Sequence, residues 1–422
     1  MKIAFVNQPW TLAVPIKGCD SLGIWTYQVA RRLIQRNHQV VVYGRRHHDY
    51  PAIYRQEDIE FHGISRNLDL WLRSFRILDS WRLTSPTNPF FASAIYSFGY
   101  ITQVAKDLQK QRCDVIHIQN FSQFVPIIKH FNPDSKVVLH SHCEWLSQLN
   151  PKVMEKRIAK ADLTIGCSEY ISDRIRQKFP HLKNRCQTVY NGVDTELFAP
   201  AANGQNSPKV EEKTILYVGR ISPEKGLHLL IDAFVKVTEK EPQIKLIIAG
   251  EKSIVAPEFL IRLDSRQEVK NLIRFYQQKQ DYLEYIKQQI PDRIKDRVHF
   301  TGGLDQAQLV DLYRQADILV NPSLSESFGM SLIEAMAVTT PVIGTKVGGM
   351  VEVIADEKAG CLVDAENSDA LANKIMQLIS NPDLVTAMGL AGRQRVLELF
   401  SWEQVTESLL AQYQKLLTAS NN

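Results

Sequence analysis

The sequence predicts an α/β protein built from two doubly wound domains, each with a mostly parallel sheet covered by helices. Short apolar strands recur along the chain, and most are followed by a turn and a helix-forming segment, as in parallel β-α-β units. This pattern starts twice, near Met1 and again near Thr214. A chain of 422 residues is also too long for one ordinary core, so two domains are expected.

The composition is that of a soluble globular protein, with 44% hydrophobic and 23% charged residues. No apolar run approaches the roughly 18 residues needed to cross a bilayer, and Met1 leads into a strand, so we expect a cytoplasmic protein. A net charge of +4 without a basic stripe argues against nucleic-acid binding. The six cysteines lack C-x-x-C spacing, so neither a zinc site nor a disulfide framework is expected.

In the first domain, residues 2–6 form an apolar strand and are followed by a loop that contains Gly18 and Gly23. A helix is predicted to begin near Tyr27. The loop lacks the G-x-G-x-x-G spacing, so a dinucleotide cofactor is not predicted. Its glycines suit either an ordinary turn or a backbone that approaches a ligand closely.

Residues 69–82 repeat apolar side chains near helical spacing, with Trp71 and Trp81 on the apolar line and Arg73 and Arg76 off it. A helix of this kind either packs as an ordinary domain helix or lies on an anionic membrane surface. Peripheral membrane contact is therefore one of two open interpretations.

Two histidines follow a strand predicted over residues 136–139. His140 and His142 lie at its carboxyl end, the edge where doubly wound sheets bind ligands. Single histidines are usually structural, but a pair at such an edge indicates that one of them contacts a ligand.

The second domain opens with a strand at residues 214–218 that ends in Gly219. Arg220 and Lys225 follow before the next helix, which places two cations in a strand-end loop. Such a pair suits a phosphate group, although two solvated charges would give the same pattern.

Two carboxylates flank the start of an apolar helix near residue 330. Glu326 precedes this helix and Glu334 lies within it, with seven residues between them. A carboxylate on a mostly buried helix needs an ion-pair partner or a ligand. Backbone amides at a helix start form an anion site, here supplied by Ser327, Phe328, Gly329 and Met330. The arrangement suits a phosphate that carries hydroxyl groups on both sides, as in a nucleotide sugar.

These residues carry a family resemblance. The run from Glu326 to Glu334, followed by Pro341 and by Gly348-Gly349, resembles the E-x7-E motif of the retaining glycosyltransferases of family 4, which have the GT-B fold. The resemblance covers nearly the whole chain and is weakest in residues 45–110 and 252–295. The second of these segments is interpreted as an insertion that contains helices.

The resemblance implies two Rossmann-like domains that face a cleft, an acceptor-side domain over residues 1–198 and a donor-binding domain over residues 209–400. Residues 199–208, which are small, polar and rich in Pro, form the expected linker. The final helix, residues 401–420, is expected to cross back onto the first domain.

The resemblance also implies roles for individual residues. Arg220 and Lys225 correspond to the family's phosphate-binding pair, and His142, with His140 as the alternative, to the histidine that faces the donor sugar. The glycines expected near the donor are Gly18, Gly219 and Gly302. Gly18 is followed by Cys19 where relatives commonly have a second glycine.

The expected activity is transfer of a hexose with retention of configuration. The donor is expected to be a UDP-hexose, with GDP-mannose as the alternative, and the acceptor a saccharide or a lipid-linked glycan in polysaccharide biosynthesis. No Asp-x-Asp metal motif is present, so no metal and no further cofactor are expected. The rivals are a UDP-sugar epimerase of related fold and a non-catalytic nucleotide-sugar-binding protein. A broken cation pair or a missing second Glu would favour the latter.

Overall fold

A computed structural model describes residues 1–14, 20–69, 85–201, 213–277 and 281–418. Its contacts divide the chain into two compact units, Met1–Asn191 with Trp402–Asn422, and Gly192–Ser401. Each unit is a sheet flanked by helices, so the predicted α/β class is confirmed. Most of the expected linker, and most of the tryptophan-rich segment 69–82, lie outside the described residues.

Unit 1 contains an eight-stranded sheet. Its strands are β1 Lys2–Val6, β2 Gln39–Arg45, β3 Ile53–Gln56, β4 Ile59–Ile64, β5 Val115–Gln119, β6 Lys136–Ser141, β7 Leu163–Gly166 and β8 Cys186–Thr188. The spatial order is β3-β4-β2-β1-β5-β6-β7-β8, and only the pairing of β3 with β4 is antiparallel. Its helices are α1 Ser21–Gln35, α2 Phe98–Gln111, α3 Phe124–Phe131, α4 Trp145–Gln148, α5 Pro151–Ile158, α6 Glu169–Lys178 and the final helix of the chain, Trp402–Thr418.

Side-chain caps set where two helices of unit 1 begin. The side chain of Asp20 accepts a hydrogen bond from the Gly23 amide, so α1 begins at Ser21 rather than near Tyr27 as predicted. Ser168 caps α6 by accepting from the Ile171 amide. The apolar periodicity of α1 was visible in the sequence, but its first turn depends on the Asp20 cap.

Unit 2 contains a six-stranded, fully parallel sheet. Its strands are β9 Thr214–Val218, β10 Lys245–Ala249, β11 Val298–Gly302, β12 Ile318–Asn321, β13 Val342–Thr345 and β14 Cys361–Val363, in the spatial order β11-β10-β9-β12-β13-β14. Its helices are α7 Leu227–Thr238, α8 Gln267–Asn271, α9 Arg274–Gln277, α10 Tyr282–Gln288, α11 Gln306–Gln315, α12 Met330–Ala337, α13 Met350–Ile354, α14 Ser368–Ile379 and α15 Pro382–Leu399.

The central strands of both sheets are buried on both faces. All five residues of β5 and all four of β12 are inaccessible, as expected where helices cover a parallel sheet on each side. Within the described residues, no helix is both long enough and apolar enough to span a bilayer.

Candidate functional site

The candidate site in unit 2 lies where the order of strands reverses. β9 occupies a central position between β10 and β12, and the chain winds outward from it in both directions. Loops that follow neighbouring strands on the two sides of such a reversal diverge and leave a crevice for ligands. Residues 219–226 follow β9 and residues 322–329 follow β12, so the fold places Arg220, Lys225 and Glu326 at one sheet edge, and Glu334 lies in the helix that follows.

These two loops are bound directly to each other. The main-chain oxygen of Glu224 accepts hydrogen bonds from the amides of Leu324 at 2.8 Å and Ser325 at 3.3 Å. Gly226 has φ +68°, and a Cβ at this position would clash with the carbonyl oxygen of Pro322. The close approach therefore requires glycine at position 226.

Both predicted cations are paired with carboxylates. Lys225 Nζ lies 2.6 Å from Glu326 Oε2, and the two side chains are only 19% and 15% exposed. Arg220 Nη2 lies 3.0 Å from Glu224 Oε1, and the Arg220 side chain remains 42% exposed. Because a guanidinium carries five N–H donors, Arg220 can keep this pairing and still bind an anion that reaches the loop.

Glu224 was not singled out from the sequence. Its side chain is 1% exposed, and its Oε1 also accepts a hydrogen bond from the Ser222 hydroxyl at 2.7 Å. A carboxylate so deeply buried needs such partners, and here it holds the Arg220 guanidinium in place. The signal that could have identified it is its position between the two cations of the R-x4-K pair.

Glu334, in the second turn of α12, has a tyrosine as its partner rather than a cation. Tyr313 Oη, from α11, donates to Glu334 Oε2 at 2.6 Å. Burial raises the pKa of Glu334 to about 7, and the hydrogen bond from Tyr313 acts in the opposite direction. Tyr313 is a further residue that the sequence analysis did not identify.

The backbone before α12 is held close to a second glycine. A Cβ at Gly349 would come within 2.7 Å of the Phe328 Cα, so only glycine allows this packing. The Phe328 ring points into the core and packs edge-on against Phe400, with centroids 5.5 Å apart. The ring is therefore buried, and the part of Phe328 that could contact a ligand is its backbone. The N-cap of this helix is Gly329, which has no side chain with which to cap it.

The remaining predicted glycines lie along the same sheet edge. The Gly219 amide donates to the Ala249 carbonyl at 3.0 Å, and the Gly250 amide donates to the Gly302 carbonyl at 2.9 Å. These bonds join the ends of β9, β10 and β11, so Gly219 is next to the cation loop and Gly302 lies two strands away.

The predicted insertion contributes to the wall of this site. It contains α8, α9 and α10, as expected for a helical insertion. Arg266 pairs with the buried Asp264 at 2.5 Å and donates to the Ser325 hydroxyl at 3.3 Å, directly before Glu326. The carbonyl oxygen of Ser253 accepts from Arg220 at 3.4 Å. No sequence pattern indicates these contacts, because they depend on the path of the inserted chain.

In unit 1, the structure distinguishes the two candidate histidines. His140 lies inside β6, fully buried, and its Nδ1 is 3.2 Å from His117 Nε2. His117 Nδ1 is in turn 2.7 Å from the hydroxyl of Tyr413 in the final helix. His140 therefore belongs to a buried network between the sheet and that helix.

His142 follows the last residue of β6, at the carboxyl edge of the sheet. Its amide donates to Asn120 Oδ1 at 2.6 Å, and its Nε2 lies 2.7 Å from Gln119 Oε1. Burial lowers the pKa of His142 to about 3, so its imidazole is neutral at physiological pH. A neutral, oriented imidazole can hydrogen-bond a sugar hydroxyl. Gly18, also predicted for this edge, lies outside the described residues.

One cluster among the described residues has the composition of a metal site. It consists of His47, His48 and Asp49 in the loop after β2, whose ligand atoms lie within 4.8 Å of one another. His47 Nδ1 already accepts a hydrogen bond from the Asp49 amide at 3.3 Å. The cluster belongs to unit 1.

Matches to two protein families together cover most of the chain. Residues 22–197 match the family described as Glycosyltransferase Family 4, and residues 200–395 match Glycosyl transferases group 1. A curated relative, spore coat protein SA of Bacillus subtilis, is 28% identical over 333 residues, which is 75% of this chain and 82% of the relative.

Solved structures with the same fold align over nearly all of both chains. Sucrose-phosphate synthase from Thermosynechococcus elongatus matches with a TM-score of 0.74 and 21% identity, covering 99% of this chain and 100% of the other. Anabaena HepE in complex with UDP-glucose matches with a TM-score of 0.68 and 19% identity, with coverages of 99% and 100%.

Proposed function

Because the chain is a glycosyltransferase of family 4 with the GT-B fold, we propose that it transfers a hexose from a UDP-sugar, UDP-glucose first, to a saccharide or lipid-linked acceptor with retention of configuration. The proposed acceptor is a growing cell-surface or exported polysaccharide. The observation that carries the proposal is the convergence of Arg220, Lys225, Glu326 and Glu334 on loops and a helix at the strand reversal of unit 2.

The proposed chemistry is a displacement on one face of the sugar. The bond between the anomeric carbon and the diphosphate oxygen breaks, while an acceptor hydroxyl forms the new glycosidic bond on the same face and gives its proton to the leaving diphosphate. Arg220, Lys225 and the backbone amides at 328–330 stabilise the charge that develops on the diphosphate. The sequence places no carboxylate of the first domain clearly as a nucleophile, so we favour this route over a covalent intermediate.

We assign the two carboxylates of the E-x7-E motif to different parts of the donor molecule. Glu334 is proposed to accept hydrogen bonds from the ribose hydroxyls, because its side chain is fixed by Tyr313 on α11. Glu326 is proposed to bind the transferred hexose, because it lies beside Lys225 at the phosphate end of the site. His142, with its neutral imidazole at the carboxyl edge of the unit 1 sheet, is proposed to bind a sugar hydroxyl.

A thermal-shift panel of UDP-, GDP- and ADP-sugars tests this proposal. A ligand present at 100 times its dissociation constant stabilises the native protein by about 2.7 kcal/mol, so the donor should raise the melting temperature clearly. UDP-glucose is expected to give the largest shift, and the complex of HepE with UDP-glucose supports this choice of donor. A larger shift with GDP-mannose would identify GDP-mannose as the donor instead. Binding of a nucleotide sugar without transfer to any glycan acceptor would favour a non-catalytic binding protein.

Activity is expected to survive chelation of divalent metals. Arg220 and Lys225, with the amides before α12, supply positive charge for the diphosphate in the loop where a metal would otherwise do so. The measurement is turnover in EDTA against turnover with added Mg²⁺. A complete loss that Mg²⁺ reverses would contradict the proposed charge balance.

A further inference from the structure

Glu334 is asymmetrically bonded. Oε2 receives the Tyr313 hydroxyl at 2.6 Å, whereas Oε1 makes no hydrogen bond to any described residue. The short distance is typical of a hydroxyl that donates to an ionised carboxylate. One oxygen is therefore fixed by the protein and the other remains available to a ligand.

Tyr313 is itself firmly held. Its side chain is fully buried, its ring packs near Phe198 with centroids 6.0 Å apart, and its main-chain oxygen accepts from the Thr340 hydroxyl at 2.6 Å. Thr340 lies just beyond α12, so the bond connects α11 to the far end of the helix that carries Glu334. Because its ring and backbone are held in this way, the Tyr313 hydroxyl stays directed at the Glu334 carboxylate.

We propose that Tyr313 is a positioning residue for the donor: its hydroxyl holds Glu334 Oε2 and thereby aims Oε1 at the ribose of the nucleotide. The inference rests on the proposed function, since it requires Glu334 to bind a nucleotide. Tyr313 would not touch the substrate and acts only through Glu334.

Other charged groups near α12 do not share this role. Among the described residues, α11, α13 and α15 pack against this helix, as do β12 and β13. Apart from Tyr313, their charged side chains are Asp311, Arg314, Glu352, Asp383, Arg393, Arg395 and Glu398, and none of these hydrogen-bonds Glu334 or shifts its pKa. The protonation of Glu334 is thus governed by its burial and by one tyrosine.

This arrangement predicts how nucleotide affinity depends on pH. A carboxylate accepts from both ribose hydroxyls only when ionised, and the pKa of Glu334 is about 7, so UDP affinity should fall as the pH drops through 7. Removing the Tyr313 hydroxyl takes away a bond that favours the ionised form, so the pKa of Glu334 rises. The midpoint should move upward by roughly one to two pH units.

The experiment is calorimetric titration of UDP into the full-length protein between pH 5.5 and 9. The Tyr313→Phe variant should bind UDP about tenfold more weakly than the unmutated protein at pH 7.5, and its affinity should recover near pH 9. Both effects follow if the midpoint of the pH dependence moves upward by about 1.5 pH units. A purely structural loss would weaken binding equally at every pH. Tyr282→Phe is the matched control, because it removes another buried tyrosine hydroxyl of unit 2, one that lies 2.8 Å from His228 Nδ1.

Two results would overturn the inference. If Tyr313→Phe keeps the midpoint of the unmutated protein while Glu334→Gln abolishes the pH dependence, the inference alone fails. If Glu334→Gln binds UDP like the unmutated protein at every pH, the ribose assignment fails and the inference with it. Should Tyr313→Phe not fold, 3-fluorotyrosine placed at position 313 provides a test of opposite sign, because its more acidic hydroxyl should move the midpoint downward.

Discussion

Removing Lys225 or Arg220 is expected to lower turnover by roughly 100-fold or more, because each deletion withdraws charge from the leaving diphosphate at the transition state. Lys225→Ala is the simpler variant, because its partner Glu326 is 15% exposed, whereas Glu224, the partner of Arg220, is 1% exposed. The measurement is the steady-state rate at saturating donor, using whichever nucleotide sugar gives the largest thermal shift.

Arg220→Ala needs a companion variant. It leaves the Glu224 carboxylate 1% exposed without its cation, and an unpaired buried charge destabilises a fold by about 3–5 kcal/mol. Arg220→Ala combined with Glu224→Gln removes that charge as well. If the double variant has nearly the melting temperature of the unmutated protein and its turnover is still low, then the lost turnover reflects catalysis rather than folding.

Lys236→Ala is the control for a charge deletion in the same unit. Lys236 pairs with Asp232 at 3.0 Å and with Asp369 at 2.9 Å on the surface, so its loss should change neither turnover nor melting appreciably. Near-normal turnover in both Lys225→Ala and the Arg220 double variant would remove the phosphate assignment.

The sequence was sufficient to predict that the loops after β9 and β12 lie together, but not which side chains pair within and around them. Lys225 and Glu326 are 101 positions apart and still meet, because parallel strands bring their carboxyl ends to one edge. Tyr313, by contrast, reaches Glu334 from a different helix, and nothing in its local sequence marks it. Which side chain pairs with a buried carboxylate depends on how the helices pack against each other. The apolar periodicity of the sequence does not predict that packing.

The histidine pair shows a similar limit. The apolar pattern predicts a strand that ends at residue 139, so both His140 and His142 are expected beyond the strand, with His142 as the candidate and His140 as the alternative. β6 instead continues through Ser141, so His140 is enclosed between neighbouring strands and bonds to His117. These two further residues of strand pairing, which the sequence does not mark, enclose His140 and leave His142 as the histidine at the carboxyl edge of the sheet.

The last prediction concerns the contact between the cation loop and the loop that leads to Glu326. Gly226→Ala should lower both stability and turnover. The residue has φ +68°, and the added methyl group would run into the carbonyl oxygen of Pro322, which is backbone and cannot rotate aside. Overpacking of this kind costs about 1–3 kcal/mol, and the left-handed conformation adds about 1 kcal/mol. Relief requires the 322–326 loop to move, and a displacement of about 1 Å in a catalytic group can cost roughly 100-fold in rate.

Gly302→Ala separates the two causes, because Gly302 has a similar φ of +72° but no atom within 4 Å of the position that a Cβ would occupy. In urea unfolding, Gly302→Ala should lower the free energy of unfolding by about 1 kcal/mol, the cost of the left-handed conformation alone. Gly226→Ala should lower it about two to four times as much. Turnover of Gly226→Ala is then measured at a temperature where the variant remains folded, and it should fall if Pro322 must shift to admit the methyl group. Equal destabilisation of the two variants would mean that the contact with Pro322 does not constrain the loops, and the position of Glu326 beside Lys225 would then need another explanation.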